Sequence, residues 1–222
     1  MTGPKRGPSL SCLECPVGRA SGVGTGGFCP FVDRERKAGE LIYVEGEPAQ
    51  HAWFIKRGTV VLSRERGEDE GEGGVRAVRF TGSFVGLEVL ISDSYHDSAR
   101  AVTDVTLCGA TREGMDQWVG PDGSPARTAL ELTLRASQAD RRRSAQRDGT
   151  AVQRVAEWLR DEGPRGMALT LPRQVIADVL GMRPETLSRA ISDLRKQGAI
   201  DATRTSLEIV DEELLEVAAR GH

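Results

Sequence analysis

The chain of 222 residues carries 30 Lys or Arg against 33 Asp or Glu, a net charge of −3, and 38% hydrophobic side chains, enough for one or two buried cores. It has no run of about 18 apolar residues, and MTGPKRGPSL has no apolar segment behind its basic residues, so neither a membrane span nor a secretory signal is expected and the expected compartment is the cytoplasm. In that reducing setting the four cysteines are expected to be free, metal-bound or redox-active rather than locked in structural disulfides.

Residues 1–31 form a cysteine-bearing N-terminal segment in which Cys12, Cys15 and Cys29 flank the glycine-rich stretch SGVGTGG. Residues 32–123 then carry short alternating segments, Glu40 to Val44, Trp53 to Lys56, Thr59 to Arg64, Val75 to Phe80 and Val105 to Thr111. Turns at Gly46, Gly58 and Gly82 separate them, a spacing that predicts an antiparallel β-roll. The loop Arg66 to Gly74 is acidic and glycine-rich, and is either a plain hairpin loop or a contact for a basic surface of RNA polymerase.

Residues 124–147 turn helical, with Ala126, Ala129, Leu130 and Leu134 on one stripe, either a dimerisation helix or a core-packing one. Arg141, Arg142 and Arg143 extend it as a solvated face or a phosphate contact.

Residues 148–222 read as a winged helix-turn-helix. A helix over Ala151 to Asp161 packs beneath a second, opened near Pro172, whose Val175, Ile176, Val179 and Leu180 share one face until Gly181 breaks it. The next helix buries Leu187, Ala190, Ile191 and Leu194, and Gly198 ends it. Glu185, Ser188 and Arg189 project from its other face near the N-terminal end, where such a helix meets base edges. Arg donates a fork to guanine, Glu accepts from cytosine and Ser serves either; Thr186 and Arg173 are further candidate DNA contacts. Ile200 to Val210, around Thr203, Arg204 and Thr205, suits a hairpin wing. Charge agrees, because residues 124–200 hold 14 Lys or Arg against 9 Asp or Glu while the remainder is net acidic.

β-Roll, long helix and winged helix-turn-helix in this order make an α+β chain that resembles the CRP/FNR superfamily of bacterial transcription regulators over nearly its whole length. The resemblance rests on Gly39 to Arg64 (GELIYVEGEPAQHAWFIKRGTVVLSR), Gly82 to Leu90 (GSFVGLEVL) and Glu185-Thr186-Leu187-Ser188-Arg189, which has the E-T-x-S-R form of the FNR branch. It implies a jelly roll like those that bind cyclic nucleotides and a homodimer on double-stranded DNA. The operator would be two-fold symmetric with TTGAT-like half-sites, roughly 34 Å apart, and the regulator would work with RNA polymerase. Cyclic AMP is not the expected ligand: where the family's cassette supplies Arg-Ser to a phosphate, this chain has Tyr95-His96-Asp97-Ser98, with Arg100 nearby.

Cys12, Cys15, Cys29 and Cys108 supply four thiolates, the number one 4Fe-4S cluster requires. Three N-terminal cysteines and one in the roll also resemble the FNR branch, which implies oxygen or nitric oxide sensing. That branch places about five residues between its second and third cysteines where this chain has 13, a lengthening worth only about 0.8 kcal/mol of closure entropy. Alternatives are a zinc site on the same thiolates, a metal-free thiol switch, or a merely buried Cys108, leaving a small-molecule or constitutive roll. Haem is disfavoured because the histidines are only His51, His96 and His222. No P-loop, dinucleotide-binding glycine pattern, nucleophile elbow or HExxH is present, so no enzyme is expected.

Overall fold

The computed structural model describes residues 10–64, 74–119, 125, 128–130, 133, 149–162, 171–203 and 206–221. The acidic loop up to residue 73, the Arg141–Arg143 run, the wing tip at 204–205 and most of the expected 124–147 helix lie outside the described residues. Two compact units divide the chain, Met1–Ala136 and Ser137–His222. No helix among the described residues is long and apolar enough to cross a membrane.

The first unit is the expected roll. Its strands are β1 (Val32–Arg36), β2 (Leu41–Tyr43), β3 (His51–Arg57), β4 (Thr59–Arg64), β5 (Gly74–Phe80), β6 (Phe84–Val85), β7 (Ser98–Ala101) and β8 (Val105–Thr111). They pair in two antiparallel sheets ordered β1-β8-β3-β6 and β2-β7-β4-β5. Phe54, Ile55, Val60, Ala99 and Leu107 are fully buried, the larger of them worth about 1.5–3 kcal/mol each.

Strand β3 is buried from Ala52 to Lys56, on both faces rather than on alternate residues. Cys15 and Val17 of the short helix α1 (Pro16–Ala20) and Met115 and Trp118 of α2 (Arg112–Trp118) belong to the same apolar cluster. Gly109 stands opposite Trp53 across the β3–β8 ladder, and a Cβ at that position would lie 2.3 Å from the indole ring. Only glycine leaves room for the ring there. Beyond α2, Ala129 packs into the cluster whereas Leu130 is 58% exposed, so these two members of the apolar stripe part company.

The second unit holds helices α3 (Ala151–Glu162), α4 (Arg173–Val179), α5 (Pro184–Lys196) and α6 (Glu212–Arg220), with a hairpin of β9 (Ile200–Ala202) and β10 (Leu207–Ile209). Leu187, Ala190, Ile191 and Leu194 of α5 are buried, as their spacing predicts. Val175 and Val179 are only partly buried, so Ile176 and Ala177 carry the inner face of α4. Gly181, at φ 56°, makes the turn between α4 and α5, and the Arg154 guanidinium donates to the Leu180 carbonyl at the end of α4. Helix α6 starts where Asp211 Oδ1 accepts from the Glu213 and Leu214 amides at 2.9 Å each.

Candidate DNA-reading face and cysteine site

Helix α5 opens with Pro184 in its first turn, a residue preset for helical φ whose missing N–H is not needed there. Glu185, Thr186, Ser188 and Arg189 are all exposed on it. Arg189 forms no ion pair among the described residues, which leaves its five donors for a ligand. The Ser188 hydroxyl donates to the Pro184 carbonyl at 2.8 Å, so toward a base it acts as an acceptor.

Arg173 departs from the expected group. It is half-buried and donates to the Thr203 carbonyl of the wing at 2.6 Å, and its other terminal nitrogen is buried without a partner among the described residues. In the fold it fastens the start of α4 to the wing.

The cysteines occupy the other unit. Cys12 is exposed, Cys29 half-buried, Cys15 and Cys108 buried, and all four are free thiols. Helix α1 begins directly after Cys15, and Gly18 lets it close on the preceding turn, since a Cβ there would stand 2.1 Å from the Cys12 carbonyl oxygen. The 13 residues between Cys15 and Cys29 do not form an open loop. They fold as α1 followed by turns through Gly22, Gly24 and Gly26, each at positive φ. Phe31 then packs edge-on to Trp118 at 5.2 Å and leads directly into β1.

Two residues that the sequence did not single out lie among the thiols. Asp33 of β1 faces Cys108 of β8 across the ladder, and Cys108 Sγ donates to Asp33 Oδ1 at 2.8 Å. Lys56 Nζ sits 3.2 Å from the same carboxylate and 3.8 Å from Cys12 Sγ, with its side chain only 6% exposed. Burial pushes the Cys15 thiol above its ordinary pKa and, with the Asp33 charge, pushes Cys108 far higher. A Lys56 charge acts against both shifts, and charges on Cys29 and Cys108 would each oppose one on Cys15. Burial works to raise Asp33 and to lower Lys56, yet hydrogen bonds from Cys108 and Lys56 hold Asp33 low, while Asp33 and the thiols hold Lys56 high. Cys12, Cys15 and Cys108 thus lie within electrostatic reach of one buried ammonium, and Cys29 lies within reach of Cys15. No three His, Cys, Asp or Glu side chains among the described residues are drawn close enough to hold a metal as they stand.

Within the roll, Tyr43 and Tyr95 stack at 4.0 Å and the Tyr43 hydroxyl donates to Asp97 at 3.2 Å. Burial and the nearby Glu88 charge push Asp97 up to about 6. Arg100 is exposed and donates to the Gly39 carbonyl at 2.7 Å. The inward Asp97 thus lies beside Glu88, with the Arg79 and Arg64 charges acting to lower it, while Arg100 is spent on the backbone.

A two-sheet roll in one unit and a winged helix-turn-helix in the other define a DNA-binding regulator that carries a separate β-roll domain. Residues 33–120 match the cyclic nucleotide-binding domain, residues 153–218 match the Crp-like helix-turn-helix domain, and the nitrogen fixation regulation protein FixK of Rhizobium meliloti is 30% identical over 169 residues, 74% of this chain and 75% of that protein. The chain belongs to the CRP/FNR superfamily of transcription regulators. The transcriptional activator protein anr of Pseudomonas aeruginosa is 25% identical over 188 residues, covering 80% of this chain and 76% of its own. The solved structure of FixK2 from Bradyrhizobium japonicum superposes with a TM-score of 0.72 at 25% identity, over 85% of this chain and 96% of that one.

Proposed function

We propose that this regulator is a cytoplasmic homodimer whose promoter binding is controlled by a redox-labile 4Fe-4S cluster held by Cys12, Cys15, Cys29 and Cys108. The observation that carries the reading is that Cys12 and Cys108 meet through Lys56 and Asp33, while Cys15 shares the buried cluster of Cys108 and Cys29 packs against that cluster. By number and by chemistry the donors fit such a group, although the Cys108 thiol must first leave Asp33. A bound cluster would supply the site's sensitivity to oxygen or nitric oxide.

The chain's own residues supply the rest. Cys108 lies in a central strand of its sheet, so joining it to Cys12, Cys15 and Cys29 ties the N-terminal segment to the roll. That tie would favour the dimer in which two copies of α5 match the operator spacing, and its loss would favour the other geometry. Leu130, exposed on the helical turn whose Ala129 packs into the roll, offers an apolar contact to the second copy. Glu185, Ser188 and Arg189 would read TTGAT-like half-sites, with RNA polymerase as the downstream partner. An inward Asp97 beside Glu88 makes a cyclic nucleotide phosphate a poor ligand for this roll.

The test is anaerobic purification with iron, sulfide and zinc quantification and an absorption spectrum before and after air. About four irons and four sulfides per chain, bleaching in air, are expected. Zinc in their place makes the thiols a structural site, and no metal makes them a thiol switch or a constitutive feature. A Cys108→Ser variant that keeps full anaerobic promoter binding would sink the tether.

A further inference from the structure

Lys56 is hard to explain as packing. An ammonium in a sheet interior loses its hydration, a penalty of several kcal/mol unless a partner compensates it. Its side chain is 6% exposed, and its carboxylate partner among the described residues, Asp33, takes it at 3.2 and 3.4 Å through both oxygens but is itself 61% exposed. The ammonium also lies 3.8 Å from Cys12 Sγ and within electrostatic reach of Cys15 and Cys108. A site lined by thiols has one use for a fixed buried cation, which is to offset the negative charge that thiolate ligands bring.

We infer that Lys56 is the charge-compensating residue of the cysteine site, with Asp33 as its counter-ion while the cysteines hold nothing. The ammonium passes from Asp33 to the thiolates when the site fills. The exposed carboxylate is then free to turn to solvent, while Lys56 stays in place because β3 is held by β8 on one side and β6 on the other. This role rests on the reading of the cysteines as metal ligands. Lys56 acts through the sulfurs and is a positioning residue, setting the energy of the site through its charge and not its shape.

The experiment compares wild type with Lys56→Met, Lys56→Arg and Asp33→Asn, each reconstituted anaerobically with ferrous iron and sulfide. Two quantities are read, the reduction potential of the loaded protein and, in metal-free protein, the rate at which iodoacetamide alkylates each cysteine. Lys56→Met is expected to shift the reduction equilibrium at least tenfold toward the oxidised form, about 59 mV for one electron, and to slow alkylation of Cys12. Lys56→Arg, which keeps the charge, is expected to stay within a few-fold of wild type, and Asp33→Asn to speed alkylation of Cys12. A loaded Lys56→Met protein with the wild-type potential overturns the inference. So does a metal-free Lys56→Met protein whose Cys12 alkylates at the wild-type rate, a result readable even if Lys56→Met takes up no iron. Wild type that takes up no iron overturns the cluster reading instead, and the alkylation rates then decide the role of Lys56 alone.

Discussion

Trp118 donates its indole N–H to the Ser21 hydroxyl at 2.8 Å, across 97 residues of sequence. Ser21 in turn donates to the Val17 carbonyl at 2.8 Å, so one hydroxyl fastens the end of α1 to α2. Ser21→Ala would leave the indole of a 95% buried tryptophan unpaired. The expected loss is about 1–3 kcal/mol in urea unfolding, with an unchanged denaturant slope. A loss below about 0.5 kcal/mol would mean that water takes over the bond.

Arg189→Ala removes an exposed fork from α5. Specific binding to a two-fold symmetric TTGAT operator is expected to weaken by about 1–3 kcal/mol, while binding to random DNA changes little. Equal weakening on both, measured by titration at one fixed salt concentration, would make Arg189 a phosphate contact only.

Asp97 gives a pH signature. Its carboxyl is raised from 3.8 to about 6 in the fold, so the neutral form is favoured there and the native state loses relative stability as pH rises through about 6. Asp97→Asn keeps an acceptor for the Tyr43 hydroxyl and removes the charge. It is expected to stabilise the roll by about 1–3 kcal/mol at neutral pH and to confer no gain below the ordinary pKa of 3.8. Thermal unfolding at the two pH values checks the sign, and a gain of equal size at both would point to packing instead.

Gly109→Ala pushes a methyl into the Trp53 ring, 2.3 Å from where its Cβ would sit. Overpacking of this kind costs about 1–3 kcal/mol. Pairing it with Trp53→Leu should recover part of the loss, and a double variant no better than the simple sum of the two would remove the steric explanation.

Strands with an apolar pattern were legible from the sequence, and Thr59–Arg64 and Val105–Thr111 have the expected bounds. Strand β1, VDRER, carries no such signal because four of its five residues are exposed and only the ladder with β8 holds it. Strand β7, SARA, is buried through small residues that propensity alone does not assign to a sheet. Helix α6, EELLEVAAR, follows the wing, and its local start signal is Asp211 followed by two glutamates. The cysteines and the exposed face of α5 could be read from residue type and spacing, whereas Asp33 and Lys56 could not. They join the thiols only through the pairing of Asp33 with Cys108 and of β3 with β8, which no local pattern encodes. The Arg173 contact is hidden for the same reason, since its partner is a wing carbonyl 30 residues away.

The short joint after Cys29 makes the two halves of the thiol set unequal as targets for engineering. Only Pro30 and Phe31 separate that cysteine from β1, so it travels with the strand, whereas Cys12 and Cys15 are joined to it through α1 and the glycine turns. Residues spliced in among those turns lie upstream of Cys29 and keep its phase with the strand, whereas a single residue added after Cys29 would reset the phase of every side chain along the strand it feeds.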